Sequence, residues 1–333
     1  MINIITDIEE FFSLEYDFIF MVGAGHFGTR ISSFMDRVHI NYECFLDNKR
    51  GGKGIGLNGK SIEKVEYLNE YKGKKCGLII SQFDSLDLIL QLNELGRDDD
   101  NYFTCLVPRA KRFDGTYCYD INAVLGYFRK KIINREAPTI ISNDCVASMI
   151  YTNIWQKDKS ISPTINIRIT PNDYLKIMLN PKYYLTTELK PLGLELWVCE
   201  GGFSEVCPVG KINDVKVYFA HVNNPKDELD KCIACWNKSI KKIKWNRLVF
   251  VARVHADIPN NYLNLMDDCE YPYRIIKMTD KDGISLRDKH LLDMHLNFSE
   301  TGLPMEEYGF DFIGWYCELL DEIENSKSGV RKA

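Results

Sequence analysis

Two groups of residues in this chain have the types and the spacing that chemistry requires. The first group is a glycine turn, in which Gly23, Gly25 and Gly28 follow the pattern G-x-G-x-x-G inside the segment FIFMVGAGHFG. In a dinucleotide-binding turn these glycines permit a tight bend, close backbone approach to a pyrophosphate, and close packing of helix on strand. Asp47 follows 19 residues after Gly28, where a carboxylate could accept hydrogen bonds from ribose hydroxyls. The set predicts a nucleotide-binding turn; the alternative is a turn that serves packing only.

The second group is Asn143, Arg168 and His221. Arg168 could hold an anionic leaving group, Asn143 could orient a hydroxyl, and His221 could accept its proton near pH 7. We therefore predict these three as catalytic residues. Each has a plainer alternative, namely a helix cap for Asn143, solvated surface for Arg168 and a structural imidazole for His221.

The elements that must position the first group alternate between strand and helix. Phe18 to Val22 forms an apolar run typical of a strand buried on both faces. The runs Cys76 to Ser81 and Tyr102 to Val107 follow at spacings that leave room for helices. Such alternation predicts βαβ units with right-handed crossovers and a parallel sheet. The fold class is therefore α/β, a Rossmann-like parallel sheet domain followed by a second α/β domain.

The second domain repeats the alternation from about residue 134 onwards. Thr139 to Ser142, Ile165 to Ile169 and Val215 to Ala220 each resemble a strand, and each ends at or beside one of the three predicted catalytic residues. In an open α/β sheet the carboxyl ends of the strands gather on one side, where ligands bind. We accordingly expect domains at 1–133 and 134–333, with the catalytic site at that edge of the second sheet.

Composition limits the classes of function. With 333 residues, 45% of them hydrophobic, and a net charge of −5, the chain is globular and has no global attraction to nucleic acid. The first fifteen residues are acidic without a basic segment, and no apolar run reaches 18 residues, so we expect neither a signal peptide nor a membrane span. Eleven cysteines without a framework spacing favour reduced thiols and a cytoplasmic protein. The pair Cys232 and Cys235 lies in a predicted helix and is expected to bind no metal.

Two resemblances to known families can be stated from motifs. Residues 16 to about 107 resemble Rossmann-type N-terminal domains attached to bacterial polysaccharide-modifying enzymes, through FIFMVGAGHFG, CFLDN and LNGKSI. Residues 139 to about 279 resemble the bacterial domain-of-unknown-function family 1919, of the exopolysaccharide biosynthesis type. The matching segments are ISNDC, SPTINIRITPNDYLKIM, NPKYYLTTEL, CPVGKINDVKVYFAHV and WNKSIKKIKWNRLVFV. Asp144 and the segment His255 to Asp257 depart from that pattern.

The second resemblance implies a protein of capsule or exopolysaccharide biosynthesis. We expect residues 1–133 to bind a nucleotide or nucleotide-sugar, and the chain to act as a transferase on a nucleotide-sugar or glycan. NAD is a third ligand that the glycine turn would suit, so an NAD-linked oxidoreductase is the alternative enzyme. A non-enzymatic nucleotide-sensing or assembly subunit, with other polysaccharide-biosynthesis proteins as partners, is the alternative outside enzymes.

Overall fold

A computed structural model describes most of the chain. The described residues are 2–53, 56–81, 86–96, 101–111, 117–119, 121–155, 161–198, 204–254, 264–278, 284–286, 290–294 and 312–327. The chain divides into two compact units, Met1–Arg135 and Glu136–Ala333, a division two residues beyond the boundary drawn from the sequence. Both units combine parallel strands with helices. The α/β fold class is therefore confirmed.

Unit 1 contains a seven-stranded sheet with the order β1-β7-β6-β2-β3-β5-β4. Its strands are β1 (Asn3–Ile5), β2 (Phe18–Val22), β3 (Phe45–Leu46), β4 (Gly56–Leu57), β5 (Lys60–Glu63), β6 (Cys76–Ile80) and β7 (Tyr102–Cys105). Every neighbouring pair is parallel except β4 and β5, which form an antiparallel pair. The prediction of a parallel sheet with the glycine turn directly after one of its strands is confirmed, and that strand, β2, lies at the centre.

The helices of unit 1 connect these strands, except for the last helix, which follows them in the chain. They are α1 (Ile8–Ser13), α2 (His26–Arg37), α3 (Leu86–Leu95) and α4 (Ile121–Ile133), with a 3₁₀ helix at Val65–Tyr71. A small antiparallel ribbon is formed by β8 (Pro108–Lys111) and β9 (Tyr117–Tyr119). The sequence pattern does not predict the strand β1 or the helix α1, because both are too short to show a period.

In the turn between β2 and α2, two of the three positions require glycine, one because of its backbone conformation and the other because of close packing. Gly23 has φ 101°, a left-handed conformation that side chains rarely tolerate. A Cβ on Gly28 would lie 2.0 Å from the carbonyl oxygen of Gly23, so only glycine allows α2 to approach β2. Gly25, by contrast, has no heavy atom within 4 Å of the point that a Cβ would occupy.

Unit 2 contains two sheets. The first is five-stranded with the order β10-β15-β16-β18-β17. Its strands are β10 (Thr139–Ser142), β15 (Leu248–Val254), β16 (Tyr273–Met278), β17 (Ile284–Leu286) and β18 (Leu291–Met294). All neighbours in it are parallel except β17 and β18. This sheet carries the turn from Ser142 to Cys145 at the carboxyl end of β10.

The second sheet of unit 2 is antiparallel throughout, with the order β11-β14-β13-β12. Its strands are β11 (Ile167–Arg168), β12 (Lys190–Val198), β13 (Ser204–Ile212) and β14 (Val215–Phe219). The expectation that all three strands bearing Asn143, Arg168 and His221 share one open sheet with their ends on one side is wrong. β10 pairs with β15 in the parallel sheet, whereas β11 pairs with β14 in the second sheet, and strands paired antiparallel end at opposite edges.

The described helices of unit 2 include α5 (Val146–Ile150, continued as a π-helix over Tyr151–Trp155), α6 (Pro171–Leu179), α7 (Pro181–Leu185), α8 (Pro225–Ile240) and α9 (Phe312–Lys327), with a 3₁₀ helix at Trp245–Arg247. Thr170 caps α6 through its hydroxyl, which accepts from the Asp173 N–H at 3.3 Å, and Pro171 occupies the first turn, where its missing N–H costs no hydrogen bond. Residues from both sheets and from α6, α7 and α8 form one core, in which Trp236 is 1% exposed. Among the described residues, no helix is both long and apolar enough to cross a membrane.

The glycine turn gives a first test by substitution. We expect Gly28→Ala to lower the free energy of unfolding by about 1–3 kcal/mol, the usual cost of overpacking, because its methyl would overlap the Gly23 carbonyl. Gly25→Ala should cost under about 1 kcal/mol, since Gly25 is the N-cap of α2 and only a cap preference is lost. Urea unfolding of the full chain measures both. Equal losses at the two positions would contradict this account of the turn.

Candidate active site

The turn between β10 and α5 is held in place by Asn143. The Asn143 side-chain amide donates to the Arg253 carbonyl at 2.6 Å and its oxygen accepts from the Arg253 N–H at 2.8 Å. The Asn143 carbonyl accepts from the Ile169 N–H at 2.8 Å. One buried residue therefore joins β10, β15 and the end of β11. Its amide is occupied by backbone, so the structure gives Asn143 a positioning role.

A thiol and an imidazole meet beside this turn. Cys145 Sγ lies 3.3 Å from His221 Nε2, although 76 residues separate them in the chain. Cys145 is partly buried at the start of α5, and His221 is exposed just after β14. A nucleophile within hydrogen-bond reach of a base is the arrangement that covalent catalysis uses.

The backbone at His221 adopts a conformation that this residue type seldom takes. Its φ is 60°, in the left-handed region, which costs a residue with a Cβ on the order of 1 kcal/mol. The His221 N–H donates to Glu205 Oε1 at 3.4 Å, so β13 helps to fix the conformation. The strained backbone holds the imidazole over the thiol.

Two arginines flank the thiol, each with an acidic partner. Arg168 lies 3.7 Å from Glu205 Oε1 and 5.8 Å above the Trp197 ring. Arg253 Nε lies 2.6 Å from Asp144 Oδ2. The four side chains of these ion pairs are largely shielded from solvent, with exposed fractions from 13% to 28%. The site therefore combines two positive and two negative groups around one thiol.

The first N–H groups of α5 are already satisfied. Asp144 Oδ1 accepts from the Val146 N–H at 2.9 Å, and Ser142 Oγ accepts from the Ala147 N–H at 3.2 Å. The capping role that the residue types of Ser142 and Asp144 favour is thus observed. Since these donors are in use, positive charge near Cys145 comes chiefly from the arginine side chains.

The electrostatics keep the thiol protonated. Burial raises the pKa of Cys145 to about 11, and the carboxylates of Asp144 and Glu205 act in the same direction. Arg168 and Arg253 oppose them, because their positive charges lower the pKa of the thiol. A thiol with this pKa needs a base to become a nucleophile.

The three residues predicted as catalytic differ in how each is related to Cys145. His221 contacts Cys145 directly, and Arg168 acts on Cys145 electrostatically and shares Glu205 with the His221 backbone. Asn143 holds the turn that carries Cys145. They are brought together where the two sheets of unit 2 adjoin, not along one sheet edge.

Sequence reasoning missed Cys145, Glu205 and Arg253. A cysteine that ends a strand-to-helix turn, combined with a histidine that ends another strand, is a signal for Cys145. Glu205 has no such signal, because no sequence pattern marks the strand that carries it. His255, which departs from the family pattern, lies outside the described residues.

A cavity of about 370 Å³ lies at the glycine turn of unit 1. Two of the four predicted nucleotide-binding residues line it. These are Gly25 and Asp47, which line it together with Lys49 and Arg50. Asp47 accepts from three backbone N–H groups, those of Ala24 at 3.0 Å, Lys49 at 2.9 Å and Arg50 at 3.0 Å. A carboxylate offers about four acceptor positions, so Asp47 has room for one more donor.

No group of three metal-ligating side chains occurs among the residues that the structure describes. Cys232 and Cys235 are free thiols on α8, partly buried and exposed respectively. Burial raises the pKa of Cys232. Cys199 and Cys207 are the cysteines that could by their place in the sequence complete a metal site with this pair. Cys207 is buried on β13, and Cys199 falls outside the described ranges.

Comparison with known proteins identifies the family. The family model described as a domain of unknown function, DUF1919, matches residues 120–294, slightly more than half of the chain. The chain belongs to the DUF1919 family. An uncharacterized protein from Haemophilus influenzae is 25% identical over 197 residues, which cover 56% of this chain and 87% of that protein.

The DUF1919 segment contains the whole candidate site. Residues 143–145, Arg168, Glu205, His221 and Arg253 all fall between 120 and 294. The glycine turn of unit 1 lies outside the segment. The chemistry around Cys145 is therefore to be sought in the DUF1919 part of the chain.

The pKa of the Cys145 thiol provides a test of the site. We expect its alkylation by iodoacetamide to be slow at pH 7 and to rise steeply towards pH 11, because only the thiolate reacts. Glu205→Gln removes a negative charge that raises the pKa, so the curve should shift to lower pH. Arg168→Gln removes a positive charge that lowers the pKa, so the curve should shift to higher pH.

Mass spectrometry of the Cys145 peptide after timed alkylation gives the rates, with exposed Cys235 as the internal control. Shifts of the same sign in both variants would contradict the electrostatic assignment.

Proposed function

We propose that this protein is a transferase that carries an acyl group on Cys145 and passes it to a sugar hydroxyl in polysaccharide biosynthesis. The observation that carries the proposal is the 3.3 Å approach of Cys145 Sγ to His221 Nε2. The biosynthetic setting rests on the exopolysaccharide-type resemblance of the family. The acceptor would be a nucleotide-sugar or a growing glycan.

In the first half-reaction His221 Nε2 takes the proton of the Cys145 thiol as sulfur attacks the carbonyl carbon of an acyl donor. The new carbon–sulfur bond forms, and the bond from the carbonyl carbon to the leaving group breaks. His221 then returns the proton to the leaving group. Because the resting thiol is neutral, the imidazole must act as a general base during the attack.

In the second half-reaction a sugar hydroxyl takes the acyl group from Cys145. His221 takes the hydroxyl proton as the oxygen attacks the thioester carbon, and the carbon–sulfur bond breaks. The departing sulfur recovers a proton from His221. An exposed imidazole suits this step, because the acceptor must reach it from solvent.

Arg168 and Arg253 supply the stabilisation that both half-reactions need. Each half-reaction passes through a tetrahedral oxyanion, whose charge must be matched by nearby donors. With the first N–H groups of α5 used by Asp144 and Ser142, the guanidinium groups are the positive groups that act at Cys145. Asp144 and Glu205 hold them in place through ion pairs.

Unit 1 has a separate place in the proposal as the nucleotide-binding domain. Its support is the cavity at Gly25, which is lined by the cationic Lys49 and Arg50 and suits an anionic ligand. The open space around Gly25 is where a diphosphate could approach the backbone. UDP- or CDP-linked sugars are the ligands that agree with a polysaccharide pathway.

The NAD-linked oxidoreductase remains the second candidate, favoured by the spacing from the glycines to Asp47. A ribose presents two hydroxyls to such a carboxylate, whereas Asp47 has room for one donor beyond its three backbone bonds. The non-enzymatic subunit, which would bind partner proteins of the same pathway, predicts no covalent intermediate. The three candidates therefore differ in the covalent chemistry and in the ligand that each predicts.

A covalent intermediate is the first expected result. Incubation with p-nitrophenyl acetate should release p-nitrophenolate in a burst and add one acetyl mass to Cys145, detected by intact-protein and peptide mass spectrometry. Cys145→Ala should give no such adduct. His221→Asn should slow acylation by about 10²–10⁴-fold, the usual contribution of general acid–base catalysis.

His221→Asn is preferable to His221→Ala because asparagine tolerates the left-handed backbone at this position. Its melting temperature should stay close to that of the wild type. Acylation of Cys145 at an unchanged rate in the asparagine variant would refute His221 as the base. A large loss of stability would instead make His221 a structural residue.

Nucleotide binding is expected at the glycine turn. Calorimetric titration with UDP, CDP, their sugar conjugates and NAD should reveal binding to the wild type. Gly25→Val should weaken that binding without unfolding, because its side chain would project into open space where the ligand lies. Asp47→Ala should cost about 1–3 kcal/mol of affinity, the range for a hydrogen bond to a charged group.

The outcomes separate the candidates. Binding of NAD in preference to nucleotide-sugars would favour the oxidoreductase. Absence of any binding at millimolar ligand would make the turn a packing device, and would leave the Cys145 chemistry untouched.

A further inference from the structure

A second cavity, which belongs to unit 2, begins at His221. It has a volume of about 420 Å³, which lies within the range of small-molecule sites. Phe219, Ala220 and Val222 line it beside His221, and residues of α8 form the opposite wall. His221 also contacts Cys145 Sγ, so the cavity, which is lined by His221 and not by Cys145, begins one side chain away from the proposed nucleophile.

The cavity is elongated along α8. Its lining residues on that helix run from Glu228 to Ser239 and recur every three or four positions, so they lie on one face. The eleven steps from Glu228 to Ser239, at 1.5 Å of rise each, span about 16 Å. The cavity is therefore a groove about three helical turns long.

The two ends of the groove can be identified. Glu228 lies one turn from the start of α8, which follows β14 and His221 after a short loop. Ser162 lines the other end and donates to the Ile140 carbonyl at 2.5 Å. The Lys244 N–H, just beyond α8, donates to Thr139 Oγ1 at 3.0 Å. Ser162 and the carboxyl end of α8 therefore both lie near the start of β10, whereas Cys145 lies just after the end of β10.

The wall between these ends is mostly apolar. Pro163, Ile165, Phe219, Cys232 and Trp236 line it. The charged pair of Glu228 and Lys231, whose atoms lie 3.3 Å apart, belongs to the end nearer His221. A ligand in the groove would therefore have its polar atoms near His221 and an apolar chain beyond them.

We propose that this groove binds the apolar chain of the acyl group that Cys145 carries, with the carbonyl carbon at the sulfur and the chain end towards Ser239. The inference rests on the proposed function and names its substrate class, a straight-chain acyl donor. A fully extended chain advances about 1.2 Å per bond, one third of a residue's reach. A groove of about 16 Å consequently accommodates on the order of ten carbons.

Chain-length selectivity tests the groove. We expect the acylation rate of Cys145 by p-nitrophenyl esters to rise from acetate to octanoate or decanoate in the wild type. Ser239→Phe fills the far end, so it should lower the rate with decanoate at least about tenfold while acetate is unaffected. Ala234→Phe introduces the same ring on an exposed position of α8 that does not line the groove, and should leave the whole series unchanged.

The outcomes distinguish this inference from the proposed function. Acylation of Cys145 with no dependence on chain length, or with equal effects of the two phenylalanine variants, would overturn the groove and retain the thiol chemistry. Absence of acylation with every ester, in a protein that melts normally, would overturn the proposed function and the groove with it. Unchanged melting temperatures in both variants are the control for folding.

Discussion

The arrangement of the site depends on the hydrogen bonds of one buried residue, Asn143. Its side chain pairs with both backbone groups of Arg253, and its carbonyl accepts from Ile169. These bonds connect a parallel sheet to an antiparallel one at the point where Cys145 emerges. A buried amide that loses such partners leaves donors and acceptors unsatisfied, at about 1–3 kcal/mol each. The positions of Arg168 and Cys145 relative to each other are therefore set by a residue that need not touch a substrate.

A second constraint is the balance of charge around the thiol. Two guanidinium groups would by themselves lower the pKa of Cys145, but Asp144 and Glu205 pair with them and burial dominates, so the pKa rises to about 11. The Cys145 thiol therefore reacts as a nucleophile only when a base removes its proton. In the proposed reaction the arginines then act on the charge that develops on a substrate oxygen.

Sequence patterns predict unit 1 better than unit 2, for a physical reason. The strand Phe18 to Val22 is followed by three glycines, two of which the backbone demands, so local pattern and tertiary structure agree. In unit 2 the strand β12 exposes the large hydrophobic side chains Leu196 and Val198, and neither a buried run nor a polar alternation reveals it. β12 and β13 lie between β11 and β14 in the chain. Without these two strands the sequence shows β11 and β14 separated by helices, and this pattern predicts a parallel pair. Arg168 and His221 nevertheless lie at or just after the ends of β11 and β14, and chain reversals bring such positions together in either kind of sheet.

Cys145 cannot be selected from the sequence by residue type alone, since eleven cysteines compete and several of the described ones are simply buried. Cys145 is distinguished by its contact with the imidazole of His221, a residue that is distant in the chain and has a left-handed backbone. A left-handed φ at His221 costs free energy, and the Glu205 carboxylate that helps to hold it also holds Arg168. One carboxylate on β13 therefore contacts both the backbone of His221 and the guanidinium group of Arg168. Such a constraint links three elements that are far apart in the chain, and only the folded structure makes it visible.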